Sequence, residues 1–143
     1  MKSKPLAQGE SRTFVMVFEK GDEVVEQLLS FARDNDLGGS SFTAIGAFSD
    51  VTVAFFDRQT KDYLPIRIDE QVEVLSLIGN IALTDRGPKV HAHLVVGKSD
   101  GTAHGGHLLE GHVWPTLEII LTEWPTHLRR QIDEETRLPL INL

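Results

Sequence analysis

The chain predicts an α+β fold, a mainly antiparallel sheet that is closed or strongly curved, with one main helix packed on it. Three observations lead there. From Phe42 onward almost every segment alternates apolar with polar residues or is rich in β-branched and aromatic ones. The breaks between these segments are short and polar, not the crossover of about a dozen residues that parallel strands require. Only one stretch carries apolar residues at clear helical spacing. The 143 residues, 41% hydrophobic and 24% charged, suffice for one compact core. We therefore expect a polar segment over 1–12 and a single domain over 13–143.

Taken in order, residues 13–19 alternate as a strand that ends at Lys20-Gly21. Asp22 and Glu23 then place acid in the first turn of a helix whose stripe is Val24, Val25, Leu28, Leu29 and Ala32, with Gly38-Gly39 stopping it. Strands follow over 42–48 and 51–57, separated by Ser49-Asp50, and over 63–68 after a polar turn at 58–62. A long strand over 72–83 carries a predicted bulge at Gly79-Asn80. Residues 84–89 read as a turn, and the strand of 116–122 is broken by Trp124-Pro125. A short helix over 128–135 and a tail over 138–143 complete the expectation.

Four of the six histidines lie between residues 91 and 107. In a strand over 90–96, Val90, Ala92, Leu94 and Val96 share the core face, and His91, His93 and Val95 share the other. If Ser99-Asp100-Gly101 is a three-residue hairpin loop with Gly101 left-handed, His93 lies opposite His107, within reach of a shared ion. His104 then lies opposite Val96, on the other face. One bulged residue at Gly105-Gly106 would reverse that parity and bring in His104 instead. Three neutral imidazoles with an open fourth position suit zinc first and other divalent transition ions after it. Glu118, with Glu73 behind it, is the candidate proton carrier beside such an ion. His112 is read as a loop residue that could stand behind the ligands, and His127 enters no arrangement.

Composition excludes several classes. A net charge of −7 and the absence of a basic block oppose strong attraction to phosphate backbones. Arg86-Gly87-Pro88 looks faintly like the core of an AT-hook, but the second arginine is missing and Asp85 precedes it, so it reads as a turn. Cysteine is absent, which fits a reducing compartment and leaves His, Asp and Glu as metal ligands. With no long apolar run and no hydrophobic leader in its polar N-terminus, the protein is expected in the cytoplasm and not in a membrane.

Several motifs taken together resemble the plants-and-prokaryotes-conserved (PPC) domain family. They are Lys20-Gly21-Asp22 with its helix, Gly46 before the strand of 51–57, the run from Glu73 to Asn80, the His-x-His pair, Gly105-Gly106-His107-Leu108, and Thr116-Leu117-Glu118. The resemblance covers nearly the whole chain from Thr13. It implies an α/β fold on a seven-stranded antiparallel sheet, and a homotrimer. It also implies a DNA-binding label, because plant members accompany AT-hooks in nuclear proteins and stand-alone prokaryotic members inherit the name. The architecture is similar to that of α-acetolactate decarboxylase, which holds zinc through a His-x-His pair and a later histidine. That analogy points to His91, His93 and a third ligand spaced nearer His104, whereas the PPC motif points to His107.

The functions to be weighed are therefore a trimeric zinc-binding module and a DNA-associated assembly domain. A zinc-dependent enzyme or metabolite-binding protein acting on a small carbonyl or ester compound is the alternative.

Overall fold

The computed structural model describes residues 2–7 and 11–142. Strand β1 (Lys2–Ala7) pairs antiparallel with β2 (Arg12–Phe18), so the polar opening segment includes an edge strand. Alternation in β2 sends Phe14, Met16 and Phe18 into the core. Helix α1 (Val24–Asp34) buries Val24, Leu28, Phe31 and Ala32 against them, with the rings of Phe14 and Phe31 edge to face at 5.2 Å. Phe31 extends the stripe expected from the sequence, and Val25 and Leu29 lie at its half-buried margin.

The caps of α1 differ from expectation. Glu23 is the N-cap itself: its carboxylate accepts from the amides of Val25 and Glu26, and also from that of Gly111. It thus starts the helix and ties it to the sheet. At the other end Asp36, with φ of 53°, takes the left-handed position expected of glycine, and Leu37 N donates to Ala32 O. Replacing Glu23 by alanine should cost about 1 to 2 kcal/mol, measured as a lower midpoint in urea unfolding.

Gly38 and Gly39 are instead held by the far end of the sheet. Strand β3 (Gly39–Asp57) is followed by β4 (Asp62–Ile68), β5 (Val72–Thr84), β6 (Gly87–Gly97) and β7 (Ala103–Glu123). The break expected at Ser49-Asp50 is not a break, and β7 likewise runs on from the histidine hairpin into the strand expected over 116–122. Both long strands run through, with register shifts in the β3–β7 pairing around Ala47, Ser49 and the Thr52-Val53 step. These irregularities bend the strands. As a result β3 pairs with β5, β5 with β6, β6 with β7 and β7 with β3, so the ladder closes on itself. The bulge expected at Gly79-Asn80 falls between Val74 and Ser76. Gly79 has a different reason: a Cβ there would meet the Phe42 ring at 2.3 Å.

The fold class is as expected, with nine strands and one helix among the described residues. The helix predicted over 128–135 is absent. Residues there form an antiparallel hairpin, β8 (Arg129–Ile132) and β9 (Pro139–Asn142), attached to β5 through a Leu83–Arg129 bridge. Asp133 closes its turn by accepting from the Thr136 amide and hydroxyl. A helix of eight residues is marginal, and strand pairing outweighs it.

Candidate metal centre

The hairpin of β6 and β7 forms the register that the sequence predicts. Lys98 N donates to Thr102 O, Gly101 has φ of 82°, and His93 is the cross-strand partner of His107 while Val96 is that of His104. No bulge intervenes at Gly105-Gly106. His91, His93 and His107 converge, each offering a nitrogen, with these three atoms all within 4.8 Å of one another. Their ring centroids form a nearly equilateral triangle of 5.1, 5.2 and 5.4 Å. His104 is exposed on the opposite face and takes no part.

The three rings are positioned by their neighbours. Tyr63 of β4 stacks on His107 at 4.5 Å and is braced by Phe56. His91 lies opposite Asn80 and His93 opposite Ile78 on β5. Burial, and then repulsion from His91 and His93 when protonated and from Lys89, push the His107 pKa down to about 4. Burial also lowers that of His91, helped by Arg130, His93 and Lys89. Both rings are neutral at pH 7, the state in which imidazole binds a metal.

Two features test whether these residues fit a divalent ion. Two nitrogens bound tetrahedrally to zinc at about 2.05 Å lie about 3.3 Å apart, and His91 Nε2 and His93 Nε2 are separated by 3.3 Å. His107 Nδ1 is buried without a hydrogen-bond partner. A coordinated ion or a proton donor would satisfy it, and the protein supplies neither. The donor set fits.

The structure does not bring the nominated carboxylates to the histidines. Glu118 is exposed, with Val17 and Ile45 as its cross-strand neighbours, whereas His107 is flanked by His93 and Ala54. Glu73 is exposed opposite Ala47 and Gly97. His127 approaches Glu123 Oε1 at 3.7 Å, far along the chain from the centre. Residues that sequence reasoning missed are Tyr63, Lys89 and Arg130, which line a cavity with His91 and His107. For Lys89 a signal existed, since it stands two residues before His91 on the same strand.

His112 belongs to a separate pair, its Nδ1 2.9 Å from Asp50 Oδ1. The hydrogen bond to Asp50 raises the His112 pKa, against some desolvation. Burial pushes Asp50 up, but hydrogen bonds from His112 and Ser49 outweigh it and hold the carboxyl low. The histidine's share of stability is therefore full below about pH 6.5 and is lost as pH rises through its raised folded value. Asp50's share is present above about pH 4 and is lost as pH falls through its lowered value. Solvent limits the pair to less than about 1 kcal/mol. In an NMR titration His112 should titrate above His91 and His107, and Asp50→Asn should bring it down.

Comparison with known proteins finds relatives of this chain in sequence and in fold. The model of the Plants and Prokaryotes Conserved (PCC) domain family matches residues 6–125. A metal-containing protein from Archaeoglobus fulgidus superposes with a TM-score of 0.85 at 30% identity, covering 92% of this chain and 93% of that one. The plant- and prokaryote-conserved (PPC) protein of Pyrococcus horikoshii gives 0.86 at 28% identity, covering 96% and 99%. A candidate DNA-binding protein from Ralstonia eutropha JMP134 gives 0.85 at 34% identity, covering 91% and 90%. Among curated proteins, the bifunctional protein GlmU of a Synechococcus strain is 33% identical over 124 residues, 85% of this chain. The chain spans only 19% of that relative's length.

Proposed function

Because the chain belongs to the Plants and Prokaryotes Conserved domain family, we propose that it is a metal-binding protein of that family whose copies associate as a homotrimer. His91, His93 and His107 hold zinc or another divalent transition ion. The observation that carries this assignment is the convergence of one imidazole nitrogen from each of three histidines within 4.8 Å. Zinc bound there would supply Lewis acidity toward the oxygen of a small carbonyl or ester compound. The protein's own part is to keep His91 and His107 neutral and to fix the His107 ring under Tyr63.

Association is supported by the outer face of the sheet. Ile45, Leu75 and Ile78 are 63%, 56% and 59% exposed, and Val95 and Ile120 are exposed beside them. Exposed apolar residues grouped on one face mark a contact surface. Glu118 lies on this face, lining a groove with Ile45, Leu75 and Ile120, so its place is at the contact between copies. Light scattering at micromolar concentration should give three times the chain mass, and Ile45→Asp should shift it toward monomer.

DNA association finds less support. The chain carries 21 acidic against 14 basic residues, and Asp85-Arg86 forms the two-residue turn between β5 and β6, with Gly87 opening β6. The discriminating experiment measures metal content of purified, untagged protein beside fluorescence anisotropy with duplex DNA at physiological salt. About one metal ion per chain and no anisotropy change is the expected result. DNA binding without metal would reverse the assignment.

A further inference from the structure

The cavity beside the three histidines is roofed by the C-terminal hairpin, which lies beyond the residues that match the family model. Arg130 of β8 is only 8% exposed, and its guanidinium points inward. Nη1 donates to Pro139 O and Nη2 to Asn80 Oδ1, the latter on the strand that flanks His91. Nε is buried with no partner. A buried guanidinium with an unused donor is costly unless something accepts from it.

The composition of the wall says what would. In a chain of net charge −7, this cavity is lined by Lys89 and Arg130 and by no aspartate or glutamate. The remaining wall is Tyr63 and the apolar stretch of residues 138–140. The ligand set of the metal is all imidazole, so a divalent ion there would keep its full charge and add to that of the two cations. The cavity volume is 110 Å³, about the space of three to four water molecules. That admits a carboxylate of two or three carbons.

We propose that Arg130, carried by the β8–β9 hairpin, is the anchor for a small monocarboxylate that binds beside the three-histidine centre. The guanidinium, its Nη groups fixed by Asn80 and Pro139 and its Nε–H unpartnered, is the unsatisfied donor in the wall, and Lys89 adds a second positive charge there. The histidine centre supplies the other pole of attraction. The inference rests on the metal assignment above, and it adds the chemical class of ligand.

The test uses cobalt(II) as the metal and glycolate as the probe, with neutral glycolamide as its uncharged counterpart. Binding is read by calorimetry and by the visible absorption of cobalt. Wild type should take up cobalt and bind glycolate at least about 10-fold more tightly than glycolamide. Arg130→Gln should keep cobalt but lose about 10- to 100-fold in glycolate affinity, with Arg130→Lys between the two. Lys89→Met, at an exposed position that does not threaten folding, should weaken glycolate by a smaller factor. Cobalt uptake with equal affinity for glycolate and glycolamide, or with glycolate binding unchanged in Arg130→Gln, overturns the inference and leaves the metal assignment standing. Failure of wild type to take up cobalt overturns both.

Discussion

His107→Ala should abolish tight zinc binding, with a loss of roughly 100-fold or more in affinity, while His104→Ala leaves it unchanged. The two histidines stand three residues apart on β7, and only the first shares a face with His91 and His93. Removing its imidazole takes away one of three ligands and leaves the Tyr63 ring without its stacking partner. Competition titration against a chromophoric zinc chelator would measure both variants. Loss of affinity in His104→Ala, with His107→Ala unaffected, would mean that β7 pairs with β6 in another register.

Glu123→Ala should be the most destabilising change of a single polar residue, by about 3 to 5 kcal/mol. Glu123 is 3% exposed at the end of β7, and its carboxylate accepts from the amides of Gly38 and Gly39 and from the Ser40 hydroxyl. Those three donors lie at the entry to β3, Gly38 just before it and Gly39 and Ser40 at its start. Without the carboxylate two amides and a hydroxyl are left buried, and the first residues of β3 lose their hold on the end of β7. Urea denaturation of the variant should show the fall in midpoint. A change below about 1 kcal/mol would mean that water takes over all three donors.

Strand parity and one turn made most of the histidine site legible. Ser99-Asp100-Gly101 sets the hairpin, and alternation from residue 90 to residue 107 then decides which histidines share a face. Both are local properties. What was not legible depends on contacts distant in sequence. Ser49-Asp50 has the composition of a turn, yet it lies inside β3 because Asp50 finds His112 across the sheet. Gly38-Gly39 has the look of a helix stop, yet its amides serve Glu123, more than eighty residues away. Glu118 is an attractive carboxylate by type, but β7 runs unbroken and carries it eleven residues beyond His107, up to roughly 35 Å of strand. Arg130 gave no signal, since residues 128–135 fit a helical pattern as well as an extended one until β9 and Asn80 are in place.

The most direct measurement of the central claim is anomalous diffraction from crystals of the untagged protein equilibrated with zinc, collected on both sides of the zinc absorption edge. The account predicts one strong peak per chain, about 2.0 to 2.1 Å from a nitrogen of each of His91, His93 and His107. Strong peaks elsewhere with none among these three rings would contradict it, and the cluster would then be a set of packed imidazoles without a metal.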